Sequence, residues 1–234
     1  MLQPALSIGN LGQLTVDALI SNFSIPCVGY FDEEFVVPVA GNDVFTQENS
    51  GVLSTAIEVY HAKLHDAIPV TLVQQRSSII TGYGREYAEH LFKWIKSERF
   101  RETIVILGLN SSMRIDSQLA GSQFRYVATP LEAGKKKRFE RCELIPLEEP
   151  LTAVLRPGSI ARRLHQLAEN EKLPLVVLAR FVHGGYSVQE SIETAKLCAQ
   201  YLSLPNENIE APWKLPTSWK HIMQTLPFDQ KLFG

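Results

Sequence analysis

Five groups of residues in this chain have types and spacings from which chemistry could be built. The turn Gly9-Asn10-Leu11-Gly12 follows an apolar strand and opens a helical pattern, the place where backbone N–H groups often hold phosphate. Its spacing is G-x-x-G, whereas the dinucleotide fingerprint needs three glycines as G-x-G-x-x-G, and no G-x-x-x-x-G-K-[ST] occurs anywhere. The turn therefore reads first as a device for close strand–helix packing, with phosphate binding the lesser alternative. Acyl transfer would need a G-x-S-x-G elbow. Ser122 follows Gly121 and Ser159 follows Gly158, but neither is followed by the second glycine. His183-Gly184-Gly185 has the form of an oxyanion-loop fragment; with no elbow to serve, it reads as a turn leading to a helix cap at Ser187. His61 and His65 stand four apart, a zinc spacing on a helix, yet their surroundings read as strand and loop and offer no third ligand. The run Lys135-Lys136-Lys137-Arg138 has the form of a localisation signal or acid-binding patch, and its surroundings read as a solvated loop. From these residues no catalytic, cofactor-binding or metal-binding set is expected.

The elements that would position these groups follow from hydrophobic periodicity. Leu2 to Ile8 predicts a strand, and Leu11, Leu14, Ala18 and Leu19 recur at helical spacing behind it. Pro26 to Phe31 predicts a second strand, parallel to the first across the helix. Val36 to Val39 is a short apolar run closed by the turn Gly41-Asn42-Asp43. Val52 to Tyr60 and Val70 to Gln75 predict an antiparallel pair. A helix near Arg85 to Lys96 precedes Thr103 to Leu107, a β-branched run suited to a sheet centre. Residues 109 to 150 read as irregular and polar. A helix after Pro157 carries Ile160, Leu164 and Leu167, and Leu175 to Phe181 predicts another buried strand. Ser187-Val188-Gln189-Glu190 has the capping-box form before a helix bearing Val188, Ile192, Ala195 and Leu202. The alternation predicts an α/β fold: a three-layer sandwich with a central mixed, largely parallel sheet and helices on both faces. We expect one domain over 1–204 and a mostly extended segment over 205–234, where Pro205, Pro212, Pro216 and Pro227 fall.

Composition narrows the classes further. The 234 residues are 45% apolar, ample for a core. Lys+Arg is 23 and Asp+Glu is 25, a net charge of −2, so no global field draws the chain to nucleic acid or an anionic membrane. No apolar run approaches the ~20 residues of a membrane span. Met1-Leu2-Gln3-Pro4 lacks the basic start of a signal peptide. Cys27, Cys142 and Cys198 are odd in number, widely spaced and without C-x-x-C. They read as small buried apolar groups in a reducing compartment, cytosol or nucleus.

Several segments, in order, resemble the proteasome assembly chaperone 2 family. The most specific is Ser7-Ile8-Gly9-Asn10-Leu11-Gly12-Gln13-Leu14, standing at the N-terminus as it does in that family. Val28-Gly29-Tyr30-Phe31 and Val37-Pro38-Val39-Ala40-Gly41-Asn42 follow, then Leu72 to Ser77, Trp94-Ile95-Lys96-Ser97, and Phe124-Arg125-Tyr126 with Thr129-Pro130. Trp213-Lys214-Leu215-Pro216 with Ser218-Trp219 completes the set, which spans nearly the whole chain. The resemblance implies an α/β sandwich without catalysis. It implies a heterodimer with proteasome assembly chaperone 1 that binds proteasome α subunits, promotes the core-particle α ring and keeps to its outer face. It also implies a C-terminal tail of hydrophobic-Tyr-X form that enters a pocket between α subunits.

Here the chain ends Leu232-Phe233-Gly234, with Phe in place of Tyr and the phenolic hydroxyl missing. Burying one aromatic ring contributes roughly 1.5–3 kcal/mol, and a carboxylate meeting a lysine about 1.5–3 kcal/mol. Ordering the tail takes part of this back. The remaining ~4 kcal/mol corresponds to millimolar affinity, which a second contact raises ~10²–10⁴-fold. Leu232 and Phe233 packed onto their own domain is the other arrangement the sequence allows. The alternative function is an α/β hydrolase- or phosphorylase-like enzyme using the Gly9–Gly12 turn for phosphate. A concave pocket at Gly9-Asn10 would favour the enzyme, and an exposed apolar surface would favour the chaperone.

Overall fold

A computed structural model describes residues 1–46, 51–64, 68–129, 133–185, 187–204 and 212–220. The strands are β1 (Leu2–Pro4), β2 (Cys27–Tyr30), β3 (Ala40–Asn42), β4 (Leu53–Thr55), β5 (Ile57–Leu64), β6 (Ile68–Gln75), β7 (Thr103–Asn110), β8 (Phe124–Ala128), β9 (Ile145–Pro146) and β10 (Leu175–Val182). The helices are α1 (Leu11–Phe23), α2 (Gly84–Ser97), α3 (Ala133–Arg141), α4 (Leu151–Val154), α5 (Ile160–Asn170) and α6 (Val188–Tyr201). Eight strands form one sheet in the order β2-β5-β6-β1-β7-β10-β8-β9, and β3 and β4 form a separate antiparallel hairpin. The pairs β1–β6, β1–β7, β7–β10 and β8–β9 are parallel; β2–β5, β5–β6 and β8–β10 are antiparallel.

Strand alternation divides the interior into two cores, one on each face of the sheet. From β7, Ile104 and Ile106 join α1, α3 and α6 on one side, while Val105, Leu107 and Leu109 join α2 and α5 on the other. β10 repeats the pattern, with Val176 and Leu178 against Val177, Ala179 and Phe181. A central strand buried on both faces reads as an unbroken apolar run, and Thr103–Asn110 is buried until its last residue. The expected three-layer sandwich with a mixed sheet is therefore the observed architecture.

Local departures have physical causes. β1 and β2 do run parallel, but β5 and β6 lie between them. β1 ends at Pro4; Ala5 N still donates to Ile106 O at 2.8 Å, and beyond it Gly108 N donates to Ser7 Oγ at 2.9 Å instead of to a backbone carbonyl. The span 109 to 150 is not irregular; it contains β8 and α3. α3 hides in the sequence because its inward positions include Lys135, whose ammonium lies 3.1 Å from the carboxylate of Glu102 at the foot of β7. Phe139 and the following Cys142 complete the inward face. Thus the basic run is a helix with Lys135 buried and Arg138 also on Glu102, not a solvated loop. Ser187 stands at the N-cap of α6 but makes no side-chain capping bond.

The turn at Gly9 and Gly12 is a packing device. Gly9 has φ 68°, and a Cβ there would lie 2.1 Å from Ser187 Oγ. A Cβ on Gly12 would lie 3.0 Å from the carbonyls of Ala5 and Ile106. Ser187 N donates to Gly9 O at 3.2 Å, so this turn joins the start of α1 to the start of α6.

Candidate functional site

Two surfaces of the fold could act on other molecules. One is a cleft of about 870 Å³ at the carboxyl ends of β1, β7 and β10. β1 and β6 are parallel neighbours whose following helices pack on opposite faces, and such a switch point opens a crevice. Leu107, Leu109 and Phe181 line it, with Ser7, Ile8 and Asn10 on one side and Val154, Leu155 and Arg156 on the other. Of its polar groups, Ser7 Oγ is held by Gly108 N and the Gln13 carbonyl accepts from Gln74 Nε2 at 2.8 Å. The charged side chains lining it are Glu149 and Arg156.

Beside the cleft, Ser111 Oγ lies 2.8 Å from His183 Nδ1. Sequence spacing gave no sign of this pair; it forms because β7 and β10 end side by side. Among the described hydrogen bonds and ion pairs no carboxylate joins His183, so the orienting third member of a triad is missing. The strongest perturbations of protonation lie elsewhere. Burial pushes the Cys198 thiol up to about 12 and raises the phenols of Tyr60, Tyr87 and Tyr201.

The other surface is the β2 edge of the sheet. Val28, Tyr30, Val52 and Leu53 are each 54–58% exposed there and on the adjoining hairpin, and Val37 and Val39, in the segment leading to that hairpin, are 45% and 47% exposed. A concavity of about 310 Å³ lies among Cys27, Tyr30, Val52 and Leu53, with buried Ile20, Ile25 and Tyr60 behind it. β2 is uncharged, and its ladder with β5 slips a register at Val28. The opposite edge, β9, is two residues long and ends in proline, which blunts it.

A buried ion-pair network holds this edge in place. Arg76 Nη1 lies 3.1 Å from Asp17 Oδ1, and Arg76 Nε lies 2.9 Å from Glu58 Oε2. Gln74 Nε2 donates to Asp17 Oδ1 at 2.6 Å, Tyr60 OH to Glu58 Oε2 at 3.0 Å, and Thr55 N to Glu58 Oε1 at 3.1 Å. The guanidinium also sits 5.7 Å over the ring of Phe45. α1, β4, β5, β6 and the loop carrying Phe45 are thereby tied together beneath the exposed residues. Burial raises the Asp17 carboxyl above its ordinary range despite Arg76, while Asp17 and Glu58 outweigh burial at Arg76 and raise it further.

Residues 212–220 dock beside the same edge. Trp219 is buried, Ser218 N donates to Val44 O at 3.2 Å, and Thr217 Oγ1 donates to Phe45 O at 2.9 Å. Trp213 meets Phe23 edge to face, and Lys214 reaches the concavity. Leu232, Phe233 and Gly234, the tail singled out in the sequence, lie outside the described residues, as does His65. His61 bonds Thr71 Oγ1 from β5 at 2.9 Å. Cys142 and Cys198 are buried as expected, but Cys27 is exposed because β2 is an edge. The apolar residues of the edge were read in sequence as strand and short apolar run, without a sign that they stay uncovered. The network had one visible signal, the charged Asp17 and Glu58 lodged within apolar patterns. Among the described residues no group of three His, Cys, Asp or Glu could hold a metal, and no helix is long and apolar enough to cross a membrane.

Comparison with known proteins adds the family. Proteins named proteasome assembly chaperone 2 match over most of both chains. The one from Xenopus tropicalis is 31% identical, covering 94% of this chain and 89% of its own. The one from Nematostella vectensis is 29% identical, covering 89% and 91%. Among solved structures, Pyrococcus furiosus PbaA, an archaeal homolog of proteasome-assembly chaperone, superposes with a TM-score of 0.68 at 13% identity, over 99% of this chain and 85% of its own. P. furiosus PbaB, an archaeal proteasome activator, gives 0.66 at 13% identity, over 95% and 91%. The model of the PAC2 family matches residues 1–211, and this chain belongs to that family.

Proposed function

We propose that this protein is a proteasome assembly chaperone subunit that works by contact, without making or breaking bonds. It pairs with proteasome assembly chaperone 1 in the cytosol or nucleus, and the heterodimer binds α subunits and promotes the core-particle α ring. Residues 1–204 supply the contact surfaces, and 205–234 carry Leu232-Phe233-Gly234 to a pocket between α subunits. The observation that carries the reading is the open apolar sheet edge on a chain of this family. Apolar surface gathered in one place marks a protein-binding site.

The test is a pull-down of purified α-ring precursors by the heterodimer, with the native tail, with one residue added after Gly234, and with Phe233 and Gly234 deleted. Loss of the buried ring predicts roughly 10–100-fold weaker capture with an unchanged melting temperature. Equal capture by all three removes the tail from the mechanism, and no capture by any of them removes the chaperone reading.

The strand-end cleft favours a second reading, an enzyme of the hydrolase or phosphorylase kind, because its wall includes Ser7, Ile8 and Asn10. Against it, the glycine turn is filled by Ser187, and no acid–base pair converges on the cleft walls. Turnover of an ester or a nucleoside with phosphate, abolished by Ser111→Ala or Asn10→Ala, would establish it.

A further inference from the structure

Resting on the heterodimer reading above, we infer that the β2 edge is where the sister chain docks, its own apolar sheet edge laid beside β2. Val28 on β2 and Tyr30, Val52 and Leu53 around the concavity are each more than half exposed, apolar surface of the kind that marks a contact site. A standard interface takes about 800 Å² from each partner, so these side chains, the backbone of β2 and the concavity beside Cys27 must be covered together. The concavity, about 310 Å³, has room for a large side chain. Cys27–Tyr30 carries no proline or charge, so of the devices that keep an edge single it has only its shortness and the slip at Val28.

Charge completes the description of the partner. Asp32 and Glu34 follow β2 directly and are exposed, without an ion pair among the described residues, while Glu33 is turned to His90 at 3.5 Å. The docking face of the sister chain is therefore apolar with a flank of Lys or Arg opposite these two carboxylates. The exposed Met113, Ile115 and Leu119 lie on the segment that bonds Glu148 just after β9, the two-residue edge blunted by proline, and serve as the control surface.

The native chain supplies its own probe, since Cys27 alone among the three cysteines is exposed. The protein is co-expressed with the sister chain, sized, and alkylated with iodoacetamide, alone and in the complex. We expect a one-to-one complex in which Cys27 alkylates at least about tenfold more slowly than in the free chain. Val28→Glu and Leu53→Asp, both at exposed positions, are expected to weaken the complex at least about tenfold, and Met113→Asp with Leu119→Asp to leave it intact. Circular dichroism melts confirm that each variant is folded; the alkylation arm needs no variant.

A complex that forms with Cys27 still fully reactive, or that ignores Val28→Glu and Leu53→Asp, overturns the placement while leaving the heterodimer standing. No complex with the wild-type chain overturns the heterodimer reading and the placement with it. Protection of Cys27 in the chain alone also overturns it: a dimer by sizing names a second copy as the occupant, and a monomer that becomes reactive on removal of residues 221–234 names that segment.

Discussion

Replacing Arg76 by methionine tests the buried network. The side chain of Arg76 is 15% exposed and neutralises two carboxylates, Asp17 and Glu58, whose side chains are 9% and 3% exposed. Methionine keeps much of the apolar stem but leaves both acids in a dry environment with a net negative charge. Removing one partner of a buried ion pair costs about 3–5 kcal/mol, a large share of the roughly 5–15 kcal/mol that holds a domain folded. For a chain of this size the loss corresponds to about 6–20 °C in melting temperature.

The pH dependence is a sharper discriminator. Asp17 has a raised folded pKa, from burial opposed by Arg76 and Gln74. A carboxyl with a raised folded pKa binds its proton more tightly when folded, so its ionised form subtracts stability at neutral pH and ceases to do so as pH falls through the folded pKa. Without Arg76 that pKa rises further. The deficit of Arg76→Met is thus expected to be largest where Asp17 is ionised and to shrink as pH falls through its raised folded pKa. Adding Asp17→Asn and Glu58→Gln should recover much of the loss. Urea titrations at several pH values measure this, with m unchanged. A loss below about 1 kcal/mol would mean the network is solvated and ordinary, and a deficit that grows on acidification would contradict the assigned direction.

Gly9→Ala forces a left-handed alanine into Ser187 and should cost about 2–4 kcal/mol in a thermal melt; Ser187→Gly should recover part of it. Trp219→Ala should cost about 3–5 kcal/mol and expose 212–220 to limited proteolysis before the rest of the chain, because Trp219 is buried on the main core. At about pH 8, iodoacetamide followed by mass spectrometry should label Cys27 and spare Cys198, whose thiol is buried and pushed up to about 12; rapid labelling of all three would mean that α6 opens readily.

Thr103–Asn110 and Leu175–Val182 were legible as central strands because a strand buried on both faces needs no polar alternation. The strand at Cys27–Tyr30 was legible too, but not its place at an edge, since an apolar run looks alike whether another strand covers it or none does; only the burial expected of Cys27 failed. α3 was invisible for the opposite reason. Lys135 and Arg138 face inward, and only the distant Glu102 makes those positions tolerable. Ser187 with Glu190 satisfied the capping pattern, yet tertiary contact with Gly9 claimed the serine. The glycine turn was readable as packing because two glycines fit close approach and fall short of a phosphate fingerprint. Pairing of Ser111 with His183, and of Arg76 with Asp17 and Glu58, depends on strand order, which local spacing does not encode.

β1 also bears on how the molecule is made. It is synthesised before the other strands of the sheet, yet it lies in the sheet's interior, between β6 and β7. Its partners Leu72 and Ile104 are synthesised long after Leu2, and the α1–α6 junction waits for Ser187. Little of the molecule can settle during translation, and contacts this remote in sequence slow folding. A protein that we assign to helping others assemble must itself pass through a long nascent stage with its central seam unfilled.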